Sequence, residues 1–148
     1  MPKPILLVED DRVFAIWVRN ALNKLDVPNK LVNAANGKLA LEYLRDKASA
    51  RPCLILLDLY MPELNGVEFL RVVKSDCALK HIPVVVLTAS PQEADVAMSF
   101  ELGAAEYLKK GGNYSDLLYK MSRLMPYWTG IQVPFDPEPA LLRAREYV

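Results

Sequence analysis

The sequence predicts an α/β fold: a doubly wound, five-stranded parallel sheet, each strand followed by a helix, (βα)5. Two observations carry this. Short apolar runs bounded by turn residues recur along the chain, as strands buried on both faces do. Between them lie longer stretches whose apolar residues follow the 3.6-residue helical period. Strict alternation of the two implies parallel pairing, right-handed crossovers and helices on both sheet faces. The repetition is one of elements only; no segment of sequence repeats.

The first strand is Pro4-Ile5-Leu6-Leu7-Val8, which runs into Glu9, Asp10 and Asp11. A helix follows, with Phe14, Trp17, Val18, Ala21, Leu22 and Leu25 on one stripe, and acids at its start suit the helix dipole. Pro28 and Asn29 end it. Residues 30–34 read as a second, weaker strand, and Gly37 precedes a helix carrying Leu39, Ala40, Tyr43 and Leu44. The third strand, 53–58, is the centre of the pattern: four apolar residues run straight into Asp58, and Pro62, Asn65 and Gly66 turn the chain. Val67, Phe69, Leu70 and Val73 mark the next helix. Residues 83–88, rich in valine and ending at Thr88, form the fourth strand. The fourth helix spans 92–102 and stops at Gly103, a plausible C′ residue. Residues 105–109 are a short fifth strand. Gly111, Gly112 and Asn113 lead to a fifth helix with its stripe at Leu117, Leu118, Met121, Leu124 and Met125.

A chain of 148 residues fits one such domain, placed at 4–125, with a C-terminal extension at 126–148. The extension holds Pro126, Pro134, Pro137 and Pro139 with Tyr127, Trp128 and Phe135, and a helix is expected near 139–147. Lysine plus arginine number 18, as do aspartate plus glutamate, so there is no general pull toward nucleic acid or an anionic membrane. No run approaches the roughly 18 apolar residues of a membrane span, and the first strand begins at once, leaving no signal peptide. A cytoplasmic location is expected. Cys53 and Cys77 lack any metal or redox spacing and read as reduced structural thiols.

In open parallel sheets, chemistry collects at the carboxyl ends of the strands. Here those ends carry Glu9 and Asp10, Asp58, Thr88, and Lys110 just past the fifth. Each has a plain reading: an acidic helix start, a turn or cap residue, a turn hydroxyl, a surface lysine. Their joint placement argues for a site. Three gathered carboxylates repel one another, and a hard divalent cation such as Mg²⁺ relieves the repulsion. Carboxylates, a hard metal, a lysine and a hydroxyl suit a phosphoryl group, with Asp58 as a carboxylate nucleophile.

The segments Val8-Glu9-Asp10-Asp11, Leu56-Leu57-Asp58-Leu59-Tyr60-Met61-Pro62 with Asn65-Gly66, Leu87-Thr88-Ala89 and Tyr107-Leu108-Lys109-Lys110 resemble the receiver domains of two-component response regulators. The resemblance covers about residues 4–125 and implies a flavodoxin-like strand order of 2-1-3-4-5. It implies that Asp58 accepts a phosphoryl group from a histidine kinase. Asp10 and Asp58 would ligate Mg²⁺, Glu9 acting mainly through water, with the Tyr60 carbonyl as a further ligand. Thr88 and Lys110 would contact phosphoryl oxygens. Tyr107 would turn inward as Thr88 moves, altering the surface of the fourth helix, fifth strand and fifth helix. The alternative for Tyr107 is a half-buried strand tyrosine.

The sequence departs from the family where a proline, commonly cis, follows the lysine; Gly111 stands there, and a trans bond with a looser loop is expected. Tyr60 is bulky for a position lining the site and is expected to hinder water attack on a phosphoaspartate. His81, the single histidine, enters the fourth strand and is no phosphodonor, so the kinase is a separate protein. No helix-turn-helix, zinc motif or basic reading helix is visible, so output must be a protein–protein contact. The stretch 126–134 is similar to the extension of response regulators that partner bacterial phytochromes. That similarity implies a bacteriophytochrome kinase and a homodimer built on the fifth helix and the tail, the alternative being that Trp128 and Phe135 fold back on their own domain. Two rival functions stay open: an unphosphorylated dimerising adaptor, and a metal-dependent phosphatase with an aspartyl intermediate. Against the second, Tyr60 stands where such enzymes place a second acid. No Walker loop or G-x-G-x-x-G points to a nucleotide.

Overall fold

The computed structural model describes residues 2–61, 64–89 and 92–129. In chain order the elements are β1 (Ile5–Val8), α1 (Arg12–Lys24), β2 (Leu31–Ala34), α2 (Gly37–Arg45), β3 (Leu54–Asp58), α3 (Gly66–Ser75), β4 (Val84–Thr88), α4 (Glu93–Glu101), β5 (Glu106–Lys109), α5 (Tyr114–Arg123) and a short α6 (Met125–Thr129). The five strands form one sheet in the order β2-β1-β3-β4-β5, every neighbouring pair parallel. This is the doubly wound receiver-type architecture expected from the alternation of elements.

The near-continuous apolar strands are explained by two cores. Alternate residues point to opposite faces. Leu6, Val8, Ile55, Leu57, Val84 and Val86 pack with Ala40, Leu44, Phe69, Leu70, Val73 and Val96, so α2, α3 and α4 cover one face. Ile5, Leu7, Leu54, Leu56, Val85 and Leu87 pack with Val18, Leu22, Leu117 and Met121, so α1 and α5 cover the other. Strands buried on both sides have no polar face to alternate with, and β1, β3 and β4 are buried at every position.

Side-chain caps fix where the helices begin. Asp11 accepts from the amides of Val13 and Phe14, Asn36 from Leu39, Asn65 from Glu68, and Asn113 from Asp116 in a reciprocal capping box. The plain reading of an acidic helix start therefore holds for Asp11. α4 ends at Gly103, whose φ of 103° suits a residue without Cβ. No cis peptide bond occurs among the described residues, so the Lys110–Gly111 bond is trans as expected.

The chain turns after Leu124 into α6, which spans the boundary at residue 126 where the extension is expected to begin, with Tyr127 N donating to Leu124 O at 3.0 Å. Tyr127 and Trp128 pack, partly buried, against the α1/α5 core. For Trp128 this is the fold-back arrangement. Phe135 and the helix expected near 139–147 lie outside the described residues. Among the described residues, no helix is long and apolar enough to cross a membrane. Cys53 and Cys77 are free thiols.

Candidate functional site

The parallel sheet brings the carboxyl ends of β1, β3, β4 and β5 to one edge, and the residues singled out above meet there. β1 delivers Glu9, whose amide donates to Ala34 O at 2.9 Å. The Asn33 amide group donates to the carbonyls of Leu7 at 3.1 Å and Glu9 at 3.3 Å, tying the exit of β1 to β2. Glu9 is buried, Asp10 exposed, and Asp58 buried at the last position of β3. One carboxylate oxygen from each of the three lies within 4.8 Å of the others.

The loop after β3 is held tightly. Asp58 Oδ1 accepts from Tyr60 N at 3.1 Å, and Gly66 N donates to Leu59 O at 3.0 Å. Gly66 is required by space: a Cβ there would lie 2.4 Å from both the Asp58 carbonyl oxygen and Leu59 Cα. The start of α3 thus rests directly on the backbone that presents Asp58.

Lys110 reaches the carboxylates from beyond β5. Its ammonium pairs with Glu9 and lies 3.4 Å from Asp58 Oδ2. It also sits 4.4 Å from the centre of the Phe14 ring, a cation–π contact from α1. Its backbone amide donates to Thr88 O at 2.7 Å, so the lysine and the threonine are neighbours through the sheet itself. Asp58 shares strand parity with Leu54 and Leu56 on the α1/α5 side, where Phe14 lies. Thr88 shares parity with Val84 and Val86 on the α4 side.

Burial pushes the Glu9 carboxyl up to about 8, the adjacent Asp58 carboxyl adding to the rise and Lys110 opposing it. This group resists ionisation chiefly because it is buried, and the neighbouring Asp58 carboxyl adds to the resistance. Glu9 Oε2 is buried without a hydrogen-bond partner in the protein. A buried, under-partnered carboxylate beside two others is a hard oxygen donor set, and it fits a divalent cation of the Mg²⁺ or Mn²⁺ class.

Thr88 and Tyr107 are fully buried, and neither hydroxyl has a hydrogen-bond partner. Tyr107 is therefore inward, in contrast to the half-buried strand tyrosine that was its alternative. Burial raises its phenol, with the nearby Thr88 hydroxyl opposing the rise. Tyr60 is half exposed, and its hydroxyl donates to the carboxylate of Asp95 in the first turn of α4. That bond, more than burial, pushes the phenol up to about 12. His81 is exposed, away from this edge.

Sequence reasoning missed several contributors. Phe14 was read only as one residue of a helical stripe. Asn33 was read only as part of a weak strand. Asp95 carries no motif signal, since its role comes from a side chain in another loop.

The model of the response regulator receiver domain matches residues 5–122. The chain belongs to that family. The response regulator Rcp1 of Synechocystis sp. is 39% identical over 131 residues, covering 86% of this chain and 89% of the relative. The crystal structure of the Mn²⁺-bound form of Rcp1 superposes with a TM-score of 0.80 at 38% identity, covering 89% of this receiver and 98% of that chain. The phosphorylated cyanobacterial phytochrome response regulator RcpA superposes with a TM-score of 0.82 at 36% identity, covering 91% and 100%. Phytochrome response regulators are thus among the receiver's relatives, and its acidic cluster is of the kind receivers use for a metal ion.

Proposed function

We propose that this receiver is a phosphorylation switch: Asp58 accepts a phosphoryl group from a histidine kinase in the presence of Mg²⁺, and the change alters a protein-binding surface. The observation that carries the reading is the convergence of three carboxylates within 4.8 Å, with Lys110 on two of them, Glu9 and Asp58, and Thr88 on the adjacent strand end.

In the proposed step an Asp58 carboxylate oxygen attacks phosphorus. The P–N bond of the donor phosphohistidine breaks, and its electron pair returns to the imidazole. Glu9, Asp10 and Asp58 would hold the cation, with the Tyr60 carbonyl as a further ligand. Bound Mg²⁺ would neutralise phosphoryl oxygens and the carboxylates together. Lys110 offsets negative charge on a second phosphoryl oxygen, and the Thr88 hydroxyl donates to a third. Phe14 holds Lys110, and the Tyr60 amide holds Asp58, in place while the phosphoryl group is transferred. Drawing the Thr88 hydroxyl toward the phosphoryl group takes it away from Tyr107, biasing the packing of α4, β5 and α5.

A kinase partner is supported by the exposed apolar residues Val13 and Ile16 on α1, next to the site, with Arg12 and Arg19 among the residues lining a groove there. The phytochrome regulators among the relatives favour a bacteriophytochrome kinase. Exposed Tyr119 on α5 and Met125 beside it support a homodimer through α5 and the tail as the output.

The test is exposure of the chain to a small-molecule phosphodonor with and without Mg²⁺, read by intact mass, beside Asp58→Asn. Gain of one phosphoryl group that needs both Mg²⁺ and Asp58 is expected. Size exclusion of the same samples reads dimerisation. No gain in the wild type would sink the switch in favour of a constitutive adaptor.

A further inference from the structure

We propose that Lys120, on α5, is a positioning residue for Lys110. This rests on the reading above, in which Lys110 contacts the phosphoryl group. Lys110 is followed by Gly111 and Gly112, the latter with a φ of 96°. Two consecutive glycines leave the backbone unusually free, so contacts elsewhere must hold the lysine just before them. On its own side, Lys110 has its amide on Thr88 O and its ammonium among Glu9, Asp58 and the Phe14 ring. None of these contacts restrains the chain that follows.

Lys120 supplies that restraint. Its ammonium donates to the carbonyl oxygen of Lys109 and lies 3.4 Å from that of Gly111. These carbonyls flank Lys110 on either side in sequence. Helical side chains lean toward the N-terminus of their helix, which lets a residue well inside α5 reach back to the loop before it. An ammonium has three donors in a compact head and can bridge two carbonyls at once. The rest of the loop is closed by the capping box, in which Asn113 N donates to Asp116 Oδ2 at 3.0 Å. A Cβ on Gly112 would fall 2.1 Å from that same oxygen. The segment from Lys109 to Asn113 is thereby fastened to α5 at both ends, and Lys110 and α5 are mechanically joined. A pull on Lys110 by a phosphoryl group is transmitted to the helix that carries exposed Tyr119.

The experiment uses the full chain with isotope-labelled lysine, as wild type, Lys120→Met and Lys120→Arg. The Lys110 signal is identified by its loss in Lys110→Arg. The Phe14 ring shifts the Lys110 Cε protons upfield in the wild type. In Lys120→Met that signal is expected to move toward those of exposed lysines. Phosphoryl uptake from a small-molecule donor should slow about fivefold, the factor that loss of one hydrogen bond allows. Lys120→Arg, which keeps its donors, should restore the spectrum and the rate. If Lys120→Met fails to fold, Lys120→Gln, which retains an amide donor, is read by the same spectra. An unchanged Lys110 signal in the folded variant overturns the proposal. A moved signal in a protein whose wild type takes up no phosphoryl group upholds the positioning role and overturns the phosphoacceptor reading instead.

Discussion

Replacing Gly66 by alanine tests whether the close seating of α3 on the β3 loop is what presents Asp58. Gly66 is the first residue of α3 and is not in the left-handed region, so backbone conformation alone permits any residue there. Helix propensity would even favour alanine, by up to about 1 kcal/mol. Space opposes it. The new Cβ would sit 2.4 Å from the Asp58 carbonyl oxygen and 2.4 Å from Leu59 Cα, where ordinary contacts begin at 3.4 Å. Both obstructing atoms belong to the backbone, so no rotamer change relieves them. α3 and the loop must separate by the difference, 3.4 − 2.4 = 1.0 Å.

Overpacking of this kind costs about 1–3 kcal/mol. Net of the propensity gain, a loss of about 1–2 kcal/mol is expected, or a Tm lower by roughly 3–8 °C for a domain of this size. The larger effect should be kinetic, because a misplacement of about 1 Å at a reacting group can cost up to about 10²-fold in rate. Gly111→Ala is the control. Its Cβ would meet only the flexible Lys109 side chain, at 3.4 Å or more, and its φ is not positive. It should leave stability unchanged or raise it by about 0.4–1 kcal/mol. Urea unfolding and phosphoryl uptake by intact mass measure both variants. A Gly66→Ala protein as stable as wild type and as quickly phosphorylated would refute the reasoning.

Other consequences are as direct. Glu9, raised in the metal-free fold to about 8 from an unfolded value near 4.5, contributes stability present below pH 4.5 and lost as pH rises through 8. Mg²⁺ needs the ionised acid, so its stabilising effect should grow over that window. At a hundredfold excess over Kd it reaches about 2.7 kcal/mol, checked by thermal melts with EDTA or Mg²⁺ at pH 6 and pH 8. Tyr107→Phe deletes a buried hydroxyl that bonds to nothing and should be neutral or stabilise the unphosphorylated protein by about 1 kcal/mol in urea melts, while dulling the response of the α4–β5–α5 surface. Tyr60→Asn opens the loop beside Asp58 and should speed loss of the phosphoryl group several-fold. Asp95→Ala, which frees the Tyr60 hydroxyl, should act in the same direction, and unchanged decay in both, followed by mass, would count against a shielding role for Tyr60.

What was legible in the sequence is what local chemistry sets. The runs at β1, β3 and β4 are apolar up to Asp58 and Thr88 at the ends of β3 and β4 because both faces are covered, so their length and their terminal residues could be read directly. Once the strands are parallel, Glu9, Asp58, Thr88 and Lys110 must share an edge, which is why the site could be assembled before any coordinates. The contacts that hold those residues were not legible, because each joins side chains or backbone of separate elements. Phe14 under Lys110, Asn33 on the exit of β1, Asp95 on Tyr60 and Lys120 around the loop join elements whose spacing obeys no motif. α6 escaped for a different reason: it is only five residues long, too short to show a helical period, and Pro126 is tolerated in its first turn.

The hydrogen-bond account of the interior points to the same edge as the charges do. Among the described residues, four buried side-chain polar atoms bond to nothing: Glu9 Oε2, Thr88 Oγ1, Tyr107 OH and Asn29 Oδ1. Folded proteins rarely leave such groups unpaired, since each costs about 1–3 kcal/mol. Asn29 is at the far end of the sheet, where its amide nitrogen already donates to Lys3 O at 2.7 Å. Glu9 and Thr88 lie at the carboxyl ends of β1 and β4, Tyr107 sits in β5 with its hydroxyl near that of Thr88, and their chemistry differs in a useful way. Glu9 offers an acceptor suited to a cation, and Thr88 a donor suited to an anion, while Tyr107 stands beside Thr88 and gains or loses that neighbour if Thr88 moves. A stability defect spread at random would not sort itself by role along one edge. Removing the defects one at a time should therefore stabilise the resting protein and weaken the switch together: Thr88→Val should unfold at higher urea than wild type, by about 1 kcal/mol, yet fail to pass the signal from Asp58 to α5. A Thr88→Val protein that is less stable than wild type, or that still shifts its α5 amide signals on phosphorylation, would separate the two properties and break the argument.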